Sequence, residues 1–136
     1  MSRLWTSRLL IGLVAGWNLQ AAFVFIFTPN GFVRAYELSD AAGEAAVRGV
    51  GVLFLMWNIP YLFALKDPVR HKLALVLSLL MQFTGLIGEI YILSTLAMEH
   101  VILRSSILRF IGFDGVGLIL LGIAYLLVKG DQFKAE

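Results

Sequence analysis

The chain contains no cysteine. Disulfides, thiolate metal centres, thiol nucleophiles and CxxC redox chemistry are therefore excluded. Its two histidines, His71 and His100, fall between apolar segments, so no pair of imidazoles from membrane helices of this chain clamps a haem. Charged residues make up 15% of the 136 and hydrophobic residues 60%, whereas a soluble domain carries about 25% charged and about 45–50% apolar residues. No His, Asp or Glu group has metal-ligand spacing, and the chain has no Gly-rich phosphate loop, G-x-S-x-G or H-E-x-x-H. A net charge of +2 is too small to argue for nucleic acid. We therefore expect no catalytic residue, no metal and no cofactor held covalently or by His or Cys. One domain, 1–136, is all the length allows.

What remains is hydrocarbon chemistry. Leu9 to Phe27 and Gly49 to Leu65 carry no charge, Leu73 to Met98 carries only Glu89, and Ile107 to Val128 carries only Arg109 and Asp114. A helix needs about 20 predominantly apolar residues to cross a bilayer core of ~30 Å. In lipid the backbone must satisfy its own polar groups, so continuous apolar runs read as helices and not as the alternating strands of a barrel. The spacing predicts an all-α, integral membrane four-helix bundle with helices over about 9–28, 41–65, 73–98 and 105–128. The second helix is expected to start early, with Asp40 as N-cap, Ala41, Ala42, Ala45 and Ala46 behind it, and Glu44 and Arg48 paired at i,i+4. Pro60 should bend its far end. Arg3 and Arg8 ahead of an apolar run resemble a signal peptide. The run continues through Phe27 with no small-residue cleavage site, so it is read as a retained first helix.

Lys and Arg set the orientation. Arg3, Arg8, Lys66, Arg70, Lys72, Lys129 and Lys134 fall on one side, and Arg34, Arg48, Arg104 and Arg109 on the other. The richer side belongs in the cytoplasm. Both termini are thus expected to be cytoplasmic, in the cell inner (cytoplasmic) membrane. The second loop is a tight turn around Asp67-Pro68. The long outer loop, 28–47, opens with the breaker Pro29-Asn30-Gly31. Phe32, Val33, Tyr36 and Leu38 then alternate with Arg34 and Glu37, which fits either a short amphipathic turn in the interface or an ordinary ordered loop.

Polar residues in hydrocarbon are costly and face other helices or a cavity. Asn18, Gln20, Asn58 and Gln82 read as intramembrane hydrogen-bond formers between closely packed helices. Ser78, Gln82, Gly85 and Glu89 share one stripe, and so do Gly12, Gly16 and Gln20. At ~1.5 Å per residue, Asp114 is expected about 10 Å inside the outer end of the fourth helix and Glu89 about 9 Å inside that of the third. Arg48 and Arg109 lie near the same boundary. A buried charge without a partner is expensive. Arg48, Glu89, Arg109 and Asp114 are therefore expected to form one polar cluster, either an ion-pair network that fixes the bundle or a site for a quinone, another small molecule, a proton or a lipid headgroup. Trp17 and Trp57, near mid-membrane, either line such a ligand or simply pack.

The residues TPNGF after the first helix, AAVRGVG opening the second, YLFALKDPVRH around the tight turn and FDGVGLILLGIAYLL in the fourth resemble the DoxX-like group of small four-helix membrane proteins, over 28–128. That resemblance implies association with quinone-using membrane redox complexes, as a subunit that does not itself carry the cofactor. It matches Arg48, Glu89 and Asp114 to the group's polar positions. The first expected function is an accessory or scaffold subunit of a larger membrane complex, in the electron-transfer class. The alternative is a quinone- or small-molecule-binding protein using the polar pocket, and the last a small proton-coupled exporter. The expected partners are membrane lipid and other membrane subunits or further copies of the chain, and the expected ligand a quinone or a lipid.

Overall fold

The computed structural model describes residues 3–132, so Lys134 of the orientation argument lies outside the described residues. Five helices follow one another: α1 (Arg3–Phe27), α2 (Asn30–Ala35), α3 (Asp40–Lys66), α4 (Lys72–Thr95) and α5 (Val101–Gln132). The protein is all-α, and α1, α3, α4 and α5 are long and apolar enough to cross a membrane. The four pack as a ring in which α1 and α4 each contact both α3 and α5. Large apolar side chains such as Leu53, Met56, Leu80, Phe83 and Ile119 face outward. An apolar surface of this extent marks contact with a membrane or with other proteins.

Several boundaries differ from the sequence reading. Helix α1 begins at Arg3 and α5 runs from Val101 to Gln132, well beyond the charge-free stretches. Charges end an apolar run without ending a helix, because Arg side chains fold back onto neighbouring carbonyls. Helix α4 stops at Thr95, since Leu96 turns extended (φ −76°, ψ 133°). Ser39, in extended backbone, occupies the N-cap position of α3, while Asp40 itself takes a positive φ of 57°. Pro60 lies inside α3, which continues past it to Lys66.

The long loop contains the six-residue α2, which closes one end of the bundle. Val33 is buried, Phe32 and Tyr36 are half-buried, and Arg34 points outward. The helix ends with the N–H of Leu38 on the Val33 carbonyl (2.9 Å) and that of Glu37 on the Arg34 carbonyl (3.1 Å). This is the pattern that usually places glycine in the left-handed region. Here Glu37 occupies it, at φ 55°. The conformation aims its carboxylate at the start of α5, where it accepts from the Leu103 N–H (3.2 Å) and meets His100 Nδ1 (2.6 Å). The His100 ring holds the Glu37 carboxyl below its usual range, with the Leu103 N–H adding to the effect, and Glu37 in turn raises His100. At the opposite end, Asp67 Oδ1 accepts from the N–H groups of Val69 and Arg70 (3.1 and 3.0 Å), which shapes the tight turn around Pro68.

The core divides in two. Near the termini Ile11, Val14, Tyr61, Leu75, Leu121 and Val128 pack together. Beneath α2, Phe25 gathers Phe32, Tyr36, Phe54 and Phe110 at ring-centroid distances of 4.3 to 6.3 Å. Helices α1 and α3 meet closely at Gly51, where a Cβ would lie 2.8 Å from Ile26 Cγ1 and 2.9 Å from the Ala22 carbonyl oxygen.

Candidate functional site

Between the two halves of the core lies a cavity of about 420 Å³. Its walls come from α1 (Trp17, Asn18, Gln20), α3 (Phe54, Trp57), α4 (Gln82, Gly85, Glu89) and α5 (Phe110, Phe113, Asp114), with Phe25 and Phe32 on the α2 side. Trp17 and Phe113 line it and touch edge to face at 6.0 Å, yet remain 39% and 53% exposed. The two rings therefore form the outer wall of the cavity along the seam of α1 and α5.

A directed chain of hydrogen bonds crosses the floor of the cavity at mid-depth. Trp57 Nε1 donates to the Tyr61 hydroxyl (3.3 Å), which donates to Gln82 Oε1 (2.6 Å). Gln82 Nε2 then donates to Asp114 Oδ1 (2.9 Å). The direction is forced at both ends, because an indole N–H and an amide NH2 group only donate. The Gln82 amide can satisfy both neighbours in one orientation alone. Two glycines make room for these groups. A Cβ at Gly117 would lie 2.6 Å from Gln82 Nε2, and one at Gly85 2.7 Å from Asp114 Oδ2.

The expected four-charge cluster does not assemble. Glu89 and Asp114 line the cavity, whereas Arg48 and Arg109 are exposed and line none of it. Among the described residues the ion pairs are Arg48 with Glu44 (3.4 Å) and His100 with Glu37 (2.6 Å). Arg48 Nη1 donates to the Ile26 carbonyl at the end of α1 (2.7 Å), and Arg109 Nη2 donates to Ser106 Oγ (3.0 Å). For Arg48 the reason is competition from backbone, while Arg109 stays on its own helix. The last carbonyls of a helix have no partner within it and carry the negative end of its dipole. Three arginines serve such ends: Arg48 on α1, Arg8 on the Lys66 carbonyl of α3 (2.8 Å), and Arg104 on the Leu93 and Leu96 carbonyls of α4 (3.2 and 2.8 Å). Asp114 also lies deeper than expected. Because α5 begins at Val101, Asp114 is about 20 Å along the helix.

The four amides take different places. Gln82 bridges α3, α4 and α5. Asn18 lies beside the Tyr61 hydroxyl and in the cavity wall, and Gln20 lines the cavity. Asn58 is buried but donates to its own helix, at the Phe54 carbonyl (2.8 Å). Glu89 Oε2 is buried and has no hydrogen-bond partner. Above it, Tyr36 stacks on Phe110 with centroids 6.2 Å apart. Burial pushes the Tyr36 hydroxyl up to about 12, with Glu89 adding to the shift and Arg109 opposing it. Sequence reading missed Tyr61, whose position three residues after Asn58 and four after Trp57 was the available signal. No group of three or more His, Asp or Glu comes together to hold a metal among the described residues.

No protein-family model matches the chain, and neither a curated protein nor a solved structure matches it. The site therefore rests on its own geometry: a membrane protein with four candidate spanning helices, enclosing an aromatic-walled cavity that contains two carboxyl groups and a polar relay.

Proposed function

We propose that the chain is an integral membrane protein of the cytoplasmic membrane, with both termini in the cytoplasm, that binds a lipophilic small molecule in this cavity. One observation carries the reading. A 420 Å³ space at mid-depth is walled by seven aromatic rings and a few convergent polar groups, which is the composition of small-molecule sites. The flank between Trp17 and Phe113 offers entry from lipid. The motifs resembling the DoxX-like group favour a quinone as one such molecule.

Tryptophan fluorescence tests this reading, since Trp17 and Trp57 line the cavity. Titration of the purified chain in nanodiscs with a short-tailed benzoquinone should quench them saturably, and Phe113→Trp should add a quenchable signal. Native mass spectra of gently extracted protein should show a retained small molecule. Quenching that rises linearly with probe, together with spectra of bare protein, would refute the proposal. A second reading, an accessory subunit of a larger complex, draws on α4. It has the smallest buried share among the four candidate spanning helices and so the widest flank for another membrane subunit. Co-purification of a defined partner in mild detergent tests it.

A further inference from the structure

We propose that the molecule fitting this cavity is a lipophilic organic cation, whose positive group sits against Glu89 inside an aromatic enclosure. The inference rests on the reading of the cavity as a ligand site and specifies the class of ligand.

The lining contains two carboxyl groups, and no Lys, Arg or His among the described residues. The carboxyl groups are not equivalent. Asp114 is engaged, with Oδ1 taking the Gln82 amide and Oδ2 packed against Gly85. Glu89, seven residues further along the same face of α4 and so about 10 Å toward α2, leaves Oε2 buried without a donor. A carboxyl group at this depth in a membrane is either neutral or paired with a positive group. The arginines at this end of the bundle are directed elsewhere. Arg34 is exposed, Arg48 lies on the Ile26 carbonyl and Glu44, Arg104 on the carbonyls at the end of α4, and Arg109 on Ser106. The counter-charge that an ionised Glu89 requires is therefore supplied from outside the chain.

The walls suit such a guest. Phe25, Phe54, Trp57 and Phe110 surround the same space, and an aromatic face attracts a cation within about 6 Å of its centroid, most strongly where water is absent. A neutral carbonyl ligand asks for donors. Here the Trp57 N–H is already given to Tyr61 and the Gln82 amide to Asp114, which leaves the Asn18 and Gln20 amides as the lining's remaining side-chain donors. A diffuse organic cation with aromatic or alkyl arms matches both parts of the lining and partitions into lipid, from which the α1–α5 flank is reached.

The experiment is equilibrium dialysis of the full chain in nanodiscs against labelled tetraphenylphosphonium, with empty nanodiscs as the baseline. Labelled tetraphenylborate, of the same shape and opposite charge, is dialysed in a separate experiment. For tetraphenylborate no binding above the empty-nanodisc baseline is expected, and for tetraphenylphosphonium saturable binding near one per chain. It should weaken by about tenfold or more in Glu89→Gln, because a unit charge pair at ~4 Å is worth several kcal/mol even when partly screened. Glu89→Asp, which keeps the charge, should retain most of it, and far-ultraviolet circular dichroism confirms that both variants remain helical. Binding equal in wild type and Glu89→Gln, or saturable binding of tetraphenylborate of the same strength, overturns the cation assignment. If tetraphenylphosphonium fails while the benzoquinone quenches saturably, the cation assignment falls and the cavity reading stands. Failure of both probes removes both.

Discussion

Replacing Tyr61 with Phe asks whether the polar relay is an energetic feature of the fold. The Tyr61 ring is fully buried, and Phe keeps its volume, so the substitution opens almost no cavity. What it removes is one hydroxyl that accepts from Trp57 at 3.3 Å and donates to Gln82 Oε1 at 2.6 Å, with the Ser78 carbonyl oxygen as a second acceptor at 3.1 Å. The Trp57 bond is long and contributes little. The Gln82 bond is short, and its loss leaves Oε1 without this donor, with Asn18 the nearest side chain in the cavity wall able to replace it. Interhelical hydrogen bonds in membranes average about 0.6 kcal/mol and reach about 1.7, and a stranded buried acceptor costs roughly 1–3 kcal/mol. Together these put Tyr61→Phe at a destabilisation of about 2 kcal/mol. Reversible unfolding in mixed micelles, titrated with dodecyl sulfate, measures it. A cycle with Gln82→Leu separates the pair from its surroundings, because the double variant should lose less than the sum of the singles by about 1 kcal/mol. A Tyr61→Phe protein within ~0.3 kcal/mol of wild type, or single losses that add, would refute the relay as a stabilising network.

Four further outcomes follow from the same structure. Gly51→Ala places a Cβ 2.9 Å from the Ala22 carbonyl oxygen and Phe25 Cβ, and since backbone cannot swing aside, unfolding should show a loss of about 1–3 kcal/mol. Arg48→Met removes the donor from the Ile26 carbonyl and should cost about 1 kcal/mol. Glu44→Gln, which touches only the exposed pair at 3.4 Å, should cost less than ~0.5 kcal/mol. The Glu37–His100 contact gives a pH window. Glu37 titrates below its usual 4.5, so its contribution is complete above that value and fades as pH falls through the lowered one. His100 titrates above its usual 6.5, so its contribution is complete below that value and fades as pH rises through the raised one. The contact is thus fullest between 4.5 and 6.5. A nuclear magnetic resonance titration of His100 should show its midpoint drop toward 6.5 in Glu37→Gln, and an unmoved midpoint would count against the clamp.

Much of the fold was readable because lipid leaves so few options. The runs around Leu9–Phe27 and Gly49–Leu65 hold no charge and become α1 and the heart of α3. The alternation of Phe32 and Val33 with Arg34 allowed two readings of the long loop, and α2 realises the amphipathic one. The charges were harder. Proximity to one boundary drew Arg48 and Arg109 together with Glu89 and Asp114, yet Arg109 turns to Ser106 on its own helix, and the end of α1 offers Arg48 better acceptors than a carboxylate two helices away. Those acceptors are backbone atoms and leave no trace in side-chain pattern. Tyr61 was invisible for a related reason, since a tyrosine near the end of a membrane helix usually marks the interface.

Sequence alone determined the class of this protein and the number of its long helices, because hydrocarbon demands continuous apolar runs and internal backbone bonding. It also named the residues that stand out inside the membrane. Which of them meet was decided only by the tertiary arrangement. The ring order of α1, α3, α4 and α5 sets Gln82 between Tyr61 and Asp114 and turns the arginines onto helix ends. It leaves Glu89 facing an aromatic cavity without a partner. Rotation of each helix about its axis selects among such neighbours, and that rotation follows from packing contacts such as Gly51 against α1, which no single segment encodes.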